Sequence, residues 1–178
     1  MRKLKNSELN RIDISTFKSI KKTPLIIILN DVRSLNNIGS IFRTSDAFLI
    51  EKIYLCGITA TPPNRKITKT ALGSTETVEW EHYNDILELV NKLKSNGTKV
   101  WSVEQTENST TLKEIKKLEN FEKHALIFGN EINGVDQKVI NCSNEVIEIE
   151  QYGTKHSLNI SIAAGILIWH FFSLLRRN

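Results

Sequence analysis

Residues 157–175 contain no charged side chain, although charged residues make up 25% of the chain as a whole. A helix that is apolar on nearly all sides must be covered on nearly all sides, by the core of its own chain, by a second copy or by lipid. Five polar residues interrupt this run on several faces: Ser157, Asn159, Ser161, His170 and Ser173. The interruptions favour a buried helix that also forms a homodimer over a membrane anchor.

A polar, glycine-led stretch, residues 153–159 (GTKHSLN), leads into this apolar run. Backbone N–H groups at the start of a helix lack intrahelical partners, and small polar side chains beside them can hold a polar ligand. The stretch therefore predicts part of a functional site.

The length of 178 residues, 40% of them hydrophobic, indicates one globular domain with a substantial core. The net charge of +4 is unevenly distributed, because the first 22 residues hold seven basic and two acidic side chains. We predict a basic N-terminal extension over residues 1–22 and one domain over residues 23–178. The extension either binds phosphates or packs as an amphipathic helix, with four apolar side chains turned inward: Leu4, Leu9, Ile12 and Phe17.

A second basic cluster, Arg65, Lys66 and Lys69, follows Pro62-Pro63 and is predicted to lie in a loop. The two cysteines, Cys56 and Cys142, lack metal-ligand spacing and adjoin apolar runs, which indicates reduced thiols in a cytoplasmic protein. The N-terminus shows no apolar signal segment.

Short apolar runs alternate with helical patterns along the chain. The runs at residues 25–29, 52–58, 99–103, 125–128 and 146–149 predict strands, and helices are predicted at 38–48, 85–94 and 135–140 and in the C-terminal run. Residues 105–111 are polar and are predicted to form a loop. This order indicates an α/β fold with a mostly parallel sheet flanked by helices.

Polar clusters follow three of the predicted strands, at residues 30–39, 129–134 and 150–159. The carboxyl ends of parallel strands lie at one edge of a sheet, where ligands bind in open α/β folds. We therefore expect the three clusters to share one site.

Several familiar signatures are absent from the sequence. It has no G-x-G-x-x-G after the first strand, no G-x-x-x-x-G-K-[ST] and no G-x-S-x-G, and its four histidines show no metal-ligand spacing. Nicotinamide-dependent dehydrogenases, P-loop NTPases, hydrolases and metalloenzymes are accordingly disfavoured, and no metal is expected.

Residues 37–48 (NIGSIFRTSDAF), 126–135 (LIFGNEINGV) and 157–163 (SLNISIA) resemble, in order and spacing, the three motifs of the SpoU (TrmH-like) family of RNA ribose 2′-O-methyltransferases in the SPOUT superfamily. The resemblance implies an α/β domain with a C-terminal trefoil knot, a homodimer, S-adenosylmethionine as the cofactor and RNA as the substrate. The methyl group would go to a ribose 2′-hydroxyl.

The resemblance also implies particular site residues. The active-site set would be Asn37, Arg43, Glu131, Ser157 and Asn159. The cofactor pocket would involve Gly129, Ile149 and Leu158, with Val103 at its border.

A 2′-hydroxyl is a poor nucleophile until its proton is removed or its developing charge is stabilised. The guanidinium of Arg43 stays protonated, so positioning of a phosphate and charge stabilisation are favoured over action as a base. Glu131 would order either neighbouring backbone or the arginine. Taken singly, Asn37 and Ser157 also suit helix N-caps, and Glu131 suits a first helical turn.

Other functions remain open at this stage. One alternative is a catalytically silent RNA-binding module with the same fold, and another is an enzyme that methylates a base nitrogen. We favour tRNA as the substrate, with rRNA as the alternative. RNA would be held by the N-terminal extension, by residues 65–69, and by Arg176 and Arg177. Glu150 stands where many relatives have proline, which places a charge beside the predicted cofactor pocket.

Overall fold

A computed structural model describes residues 1–118, 121 and 123–176. Its strands are β1 (Thr23–Asn30), β2 (Ile50–Cys56), β3 (Glu79–Tyr83), β4 (Thr98–Val103), β5 (Thr110–Thr111), β6 (Lys123–Phe128) and β7 (Glu145–Glu148). Its α-helices are α1 (Ile14–Ser19), α2 (Leu35–Ala47), α3 (Arg65–Ala71), α4 (Ser74–Thr77), α5 (Ile86–Ser95), α6 (Gln137–Cys142) and α7 (Ile160–Leu175). Short 3-10 helices cover Asn6–Glu8 and Leu112–Glu114.

The described strands form one seven-stranded sheet in the order β3-β2-β1-β6-β4-β7-β5, and every pair is parallel. β1 is central and buried along nearly its whole length, as its continuous apolar run predicts for a strand covered on both faces. Helices α1, α2, α3 and α7 cover one face of the sheet, and α5 and α6 cover the other. The α/β class and the parallel sheet are therefore confirmed.

All five predicted strands are present, with β2 shifted by two residues toward the N-terminus. Two further strands, β3 and β5, were not predicted. β3 lies at one edge of the sheet with exposed Glu79 and Glu81, so it lacks the apolar run of a central strand. β5 is only two residues long and lies inside the stretch predicted as a loop.

The basic cluster at residues 65–69 belongs to α3, so its assignment to a loop is wrong. Asn64 caps this helix, because its side chain accepts a hydrogen bond from the backbone N–H of Lys66. Ile67 and Ala71, four residues apart, form the buried face.

The amphipathic-helix interpretation of the N-terminal extension is largely wrong. Within the extension, α-helix is confined to residues 14–19, capped by Asp13, and Phe17 is the one buried side chain among the four predicted to turn inward. The other three side chains predicted to turn inward, Leu4, Leu9 and Ile12, are exposed.

The C-terminal apolar run forms α7, which begins at Ile160. Ala164, Leu167, Ile168 and Phe171 pack into the core, while other apolar side chains of the helix are exposed. Across the described part of the chain, no helix combines the length and apolar character needed to cross a membrane.

Both cysteines are free thiols. Cys56 is fully buried at the end of β2, and burial, aided by nearby Asp31, raises its pKa to about 12. Cys142, at the end of α6, is only half-buried.

Candidate active site

A cavity of about 710 Å³ lies beyond the carboxyl ends of β1, β4, β6 and β7. Residues from all three predicted polar clusters line it, so the expectation that they share one edge of the sheet is met. Apolar side chains from the strand ends, such as Phe128 and Ile147, contribute to its wall. This volume is typical of pockets that enclose a small molecule or cofactor.

The loop after β6, residues 129–134, is folded back on itself. Asn130 and Gly134 exchange two backbone hydrogen bonds, at 3.0 and 2.9 Å. A Cβ on Gly129 would lie 2.2 Å from the Gly134 backbone, and Gly134 itself has φ +67°, so both positions require glycine.

The side chain of Asn130 fixes this loop to β1. Its amide oxygen accepts the backbone N–H groups of Ile132 (2.9 Å) and Asn133 (3.2 Å), and its amide nitrogen donates to the Asp31 carbonyl at 2.8 Å. The sequence pattern singled out Gly129 and Glu131 in this loop but not Asn130, although a polar residue directly after a buried strand is a usable signal.

Glu131 joins the same loop to the start of α2. Its carboxylate accepts the backbone N–H groups of Arg33 (3.1 Å) and Ser34 (3.0 Å). Partial burial opposes ionisation of this carboxyl group, but the N–H donors outweigh it, so the pKa of Glu131 is lowered. Glu131 lies in a turn between β6 and α6, so the interpretation that it belongs to the first turn of a helix is wrong.

Asn37 and Asn159 meet at the edge of the cavity, where the Asn159 side-chain amide donates to the Asn37 amide oxygen at 3.2 Å. Asn159 also caps α7 by accepting the backbone N–H of Ser161 at 2.8 Å. Ser34 caps α2 and Asn159 caps α7, so the N-cap roles considered for Asn37 and Ser157 are wrong. Ser157 lies exposed in the loop before α7 and lines the cavity.

The four residues predicted to hold a cofactor all line this cavity: Gly129, Ile149, Leu158 and Val103. Val103 ends β4 and packs against the core, as does Ile149. Leu158 is exposed at the rim, beside the N-cap of α7. These apolar side chains can contact the flat faces of a heterocycle.

Arg43 does not lie at this cavity. It lies on α2, six residues or about 9 Å along the helix axis from Asn37, and its side chain is exposed. It lines a second depression of about 310 Å³ together with Ile14 of α1 and Leu72 after α3, and it does not line the larger cavity. Within one chain, the structure brings four of the five predicted active-site residues together and leaves Arg43 outside.

Glu104, which follows β4, lines the cavity and was missed by the sequence analysis. Its carboxylate accepts the backbone N–H groups of Val135 (3.0 Å) and Gln105 (2.8 Å), so it ties the far end of the 129–134 loop to β4. Glu150 does not line the cavity, but its neighbours Ile149 and Gln151 do, so its charge lies beside the pocket as predicted. Its carboxylate pairs with Lys113 at 2.5 Å.

The described residues include no group of three or more His, Cys, Asp or Glu placed to hold a metal ion. Of the predicted RNA-holding residues at the C-terminus, Arg176 is described and Arg177 lies outside the described residues.

A parallel sheet with a cofactor-sized cavity built by the loops after β1, β4, β6 and β7 defines an α/β domain with a small-molecule site at its carboxyl edge. Residues 24–169 match the model of the SpoU rRNA Methylase family. The chain belongs to this family.

Two curated relatives illustrate the sequence similarity. The chain is 32% identical over 145 residues to the 23S rRNA (guanosine(2553)-2′-O)-methyltransferase RlmP of Bacillus subtilis. The aligned region covers 82% of this chain and 56% of that protein. It is 26% identical over 162 residues to the 23S rRNA (guanosine-2′-O-)-methyltransferase RlmB of Vibrio parahaemolyticus, covering 91% of this chain and 64% of that protein. The chain thus spans between about half and two thirds of these relatives.

Solved structures share the fold. The A. aeolicus TrmH/SpoU tRNA modifying enzyme superposes with a TM-score of 0.79 at 22% identity, covering 90% of this chain and 80% of that one. The AdoMet-bound rRNA methyltransferase from Sinorhizobium meliloti gives a TM-score of 0.77 at 24% identity, covering 87% of this chain and 59% of that one.

Proposed function

We propose that this chain is an S-adenosylmethionine-dependent RNA methyltransferase that transfers a methyl group to a ribose 2′-hydroxyl. The observation that carries the proposal is the contact between Asn37 and Asn159 at the edge of the cavity, with Glu131 and Ser157 beside it. Membership of the SpoU family and the names of the relatives support this reaction.

The cavity suits this cofactor chemically. S-adenosylmethionine, when bound, supplies an electrophilic methyl group on a positively charged sulfur. Three carboxylates line the cavity, from Glu104, Glu131 and Glu148, and negative charge attracts such a cation. Ile149 and Leu158 provide apolar contacts for the adenine ring, and the turn at Gly129 brings backbone close to the bound molecule.

The roles of the polar side chains follow from their positions. Asn37 and Asn159 would orient the ribose at the start of α2 and α7, and Ser157 offers a hydroxyl for a further hydrogen bond. Glu131 would act indirectly, by holding the 129–134 loop against α2.

Arg43 would clamp an RNA phosphate and stabilise negative charge that develops on the 2′-oxygen, since a guanidinium stays protonated. Because Arg43 does not line the cavity of its own chain, the RNA must reach from the cavity to the outer side of α2, or the arginine must come from a second copy.

We propose a homodimer formed through α7. Ile162, Ile166 and Trp169 lie on one face of this helix and are 56%, 37% and 57% exposed. Gly165 lies on the same face with open space around its Cα, so a partner helix can approach closely.

The C-terminal trefoil knot is likewise a proposal. The family resemblance is its basis, and the position of β7 between β4 and β5 is compatible with it, because the connection from β4 to β5 has to pass β7. We also place the proposed reaction in the cytoplasm, supported by the two free thiols.

We favour tRNA as the substrate, and the names of RlmP and RlmB make 23S rRNA the second candidate. The test is methyl transfer from labelled S-adenosylmethionine to unmodified tRNA and to 23S rRNA, with nuclease mapping of the product. The expected product is a 2′-O-methyl nucleotide in tRNA.

Arg43→Ala should lower kcat about 100-fold or more, while cofactor binding measured by calorimetry stays unchanged. Arg43→Lys keeps the charge but loses the planar fork and serves as the matched variant. Cofactor binding without transfer to either RNA, or methylation of a base, would contradict the proposed reaction.

A further inference from the structure

Helix α3 exposes a row of cations. Arg65, Lys66 and Lys69 are all exposed, and the helix contains no acidic residue; we call these three residues the α3 cation face. Within the described part of the chain, none of the three forms an ion pair. In contrast, Lys52 pairs with two glutamates, both at 2.9 Å, and Lys113 pairs with one at 2.5 Å.

Unpaired like charges on one short helix repel one another, and an anion bound across them would remove that repulsion. Arg65 and Lys69 are one helical turn apart, about 6 Å along the axis. A row of cations with this spacing suits a ligand that carries several negative charges in sequence, which is the character of a nucleic-acid backbone.

Close packing fixes α3 to α2. A Cβ on Gly39 of α2 would lie 2.3 Å from the carbonyl oxygen of Ile67, so only glycine allows this approach. The Thr70 hydroxyl donates to the Asn36 carbonyl at 3.1 Å, beside the first turn of α2. The α3 cation face is therefore held in a fixed position relative to Asn37 at the cavity.

The cations of α3 also adjoin Arg43. Ala71 and Leu72, at the C-terminal end of α3, line the same depression as Arg43, and Lys69 lies in the last turn of the helix. A polyanion that runs along α3 would thus reach Arg43 next. In the N-terminal extension, by contrast, two of the cations already have partners: Arg2 pairs with Glu8 at 2.7 Å, and the Lys22 ammonium donates to the Phe17 carbonyl.

We infer that the α3 cation face is a docking surface for the phosphate backbone of RNA, which positions a strand along α2 between Arg43 and the cavity. This inference rests on the proposed function for the identity of the polyanion. Contacts of this kind set the register of a strand and carry no base specificity.

The test compares two triple variants that each remove three positive charges. Arg65→Gln/Lys66→Gln/Lys69→Gln removes the α3 cation face, and glutamine retains a helix propensity close to that of the basic residues. The control, Lys92→Gln/Lys116→Gln/Lys117→Gln, removes three exposed lysines outside α2 and α3. Thermal melting followed by circular dichroism checks that both variants fold.

Binding of fluorescein-labelled unmodified tRNA and of a 23S rRNA transcript is measured by anisotropy between 50 and 200 mM KCl, without cofactor. Each lost phosphate contact should reduce the slope of log K against log salt by about 0.7, so the α3 variant should lose a slope of about 2. Its affinity should fall about tenfold or more, and in methyl transfer its KM should rise while kcat at saturating RNA stays unchanged. The control variant should bind as the wild type does.

Equal salt slopes for the α3 variant and the wild type would overturn the inference. Because the binding assay requires no methyl transfer, wild-type protein that binds RNA through α3 but does not methylate it would contradict the proposed function alone. Methylation by the wild type with equal slopes would contradict the docking inference alone, and a wild type that binds neither RNA would overturn both.

Discussion

Asn159 donates a hydrogen bond from its side-chain amide to the amide oxygen of Asn37 at 3.2 Å, across a sequence separation of 122 residues. Asn159 caps α7 and Asn37 lies in the first turn of α2, so this bond ties the starts of two helices together at the edge of the cavity. Buried apolar side chains hold both helices as well. Because Asn37 and Asn159 both line the cavity, the pair lies where it can contact a bound ligand.

Removing either asparagine should reduce methyl transfer, but the effects on stability should differ. Asn159→Ala also removes the N-cap of α7 and should lower the free energy of unfolding by about 1 kcal/mol. Asn37→Ala loses the link between the helices and a side-chain hydrogen bond to Glu131 but removes no helix cap, so it should change stability by less. Denaturant unfolding and steady-state methyl transfer measure the two effects.

Asn36→Ala is the matched control for Asn37, because Asn36 is exposed on the same helix turn and its hydrogen bond to α3 is made by its backbone carbonyl. It should retain wild-type activity. An Asn37→Ala enzyme as active as this control would remove Asn37 from the proposed site.

The lowered pKa of Glu131 predicts a pH dependence of stability. A carboxyl group whose pKa is lower in the folded than in the unfolded state stabilises the fold above the unfolded pKa of about 4.3, and this contribution disappears as pH falls through the folded pKa. Glu131→Gln should therefore be less stable than the wild type at pH 7, and the difference should shrink as the pH falls below about 4. Melting temperatures from pH 7 to pH 3 measure it.

Glu107→Gln provides the comparison, since Glu107 is exposed and has no hydrogen bond among the described residues. Its stability difference from the wild type should be near zero at pH 7. A constant difference between wild type and Glu131→Gln across this range would show that ionised Glu131 does not stabilise the loop.

Gly39→Ala should destabilise the protein by about 1–3 kcal/mol. The added Cβ would lie 2.1 Å from the Thr70 hydroxyl and 2.3 Å from the Ile67 carbonyl, so α3 would have to move away from α2. Thermal unfolding should show a melting temperature lower by several degrees. Gly153→Ala, at an exposed position with open space around it, should melt close to the wild type.

The sequence predicts the central strands well because β1 and β6 are apolar throughout, which is the pattern of strands covered on both faces. It misses β3, since an exposed edge strand such as Glu79–Tyr83 carries charged side chains. It also misses α3, because Pro62-Pro63 indicates a turn while the capping signal at Asn64 is short and local.

The sequence likewise predicts some features of the candidate site and not others. Parallel topology is sufficient to predict that residues 30–39, 129–134 and 150–159 meet. The exclusion of Arg43 from the cavity follows from helix geometry, since six residues correspond to about 600° of rotation and place Arg43 and Asn37 on different faces of α2. The contacts of Glu104 depend on how the 129–134 loop folds, which no spacing in the sequence specifies.

Charge introduced on the exposed face of α7 should separate the proposed dimer. Trp169 packs against Phe48 and Phe172, with ring centroids 5.5 and 6.1 Å apart, and this packing holds its exposed ring in a fixed orientation suited to the centre of an interface. Ile166→Glu would place a charge one helical turn before Trp169 in a region from which water is excluded. Light scattering after size exclusion should give twice the chain mass for the wild type and the single chain mass for Ile166→Glu. The control Ile58→Glu, at an exposed isoleucine on the loop after β2, should remain dimeric, and a monomeric wild type would contradict the interface.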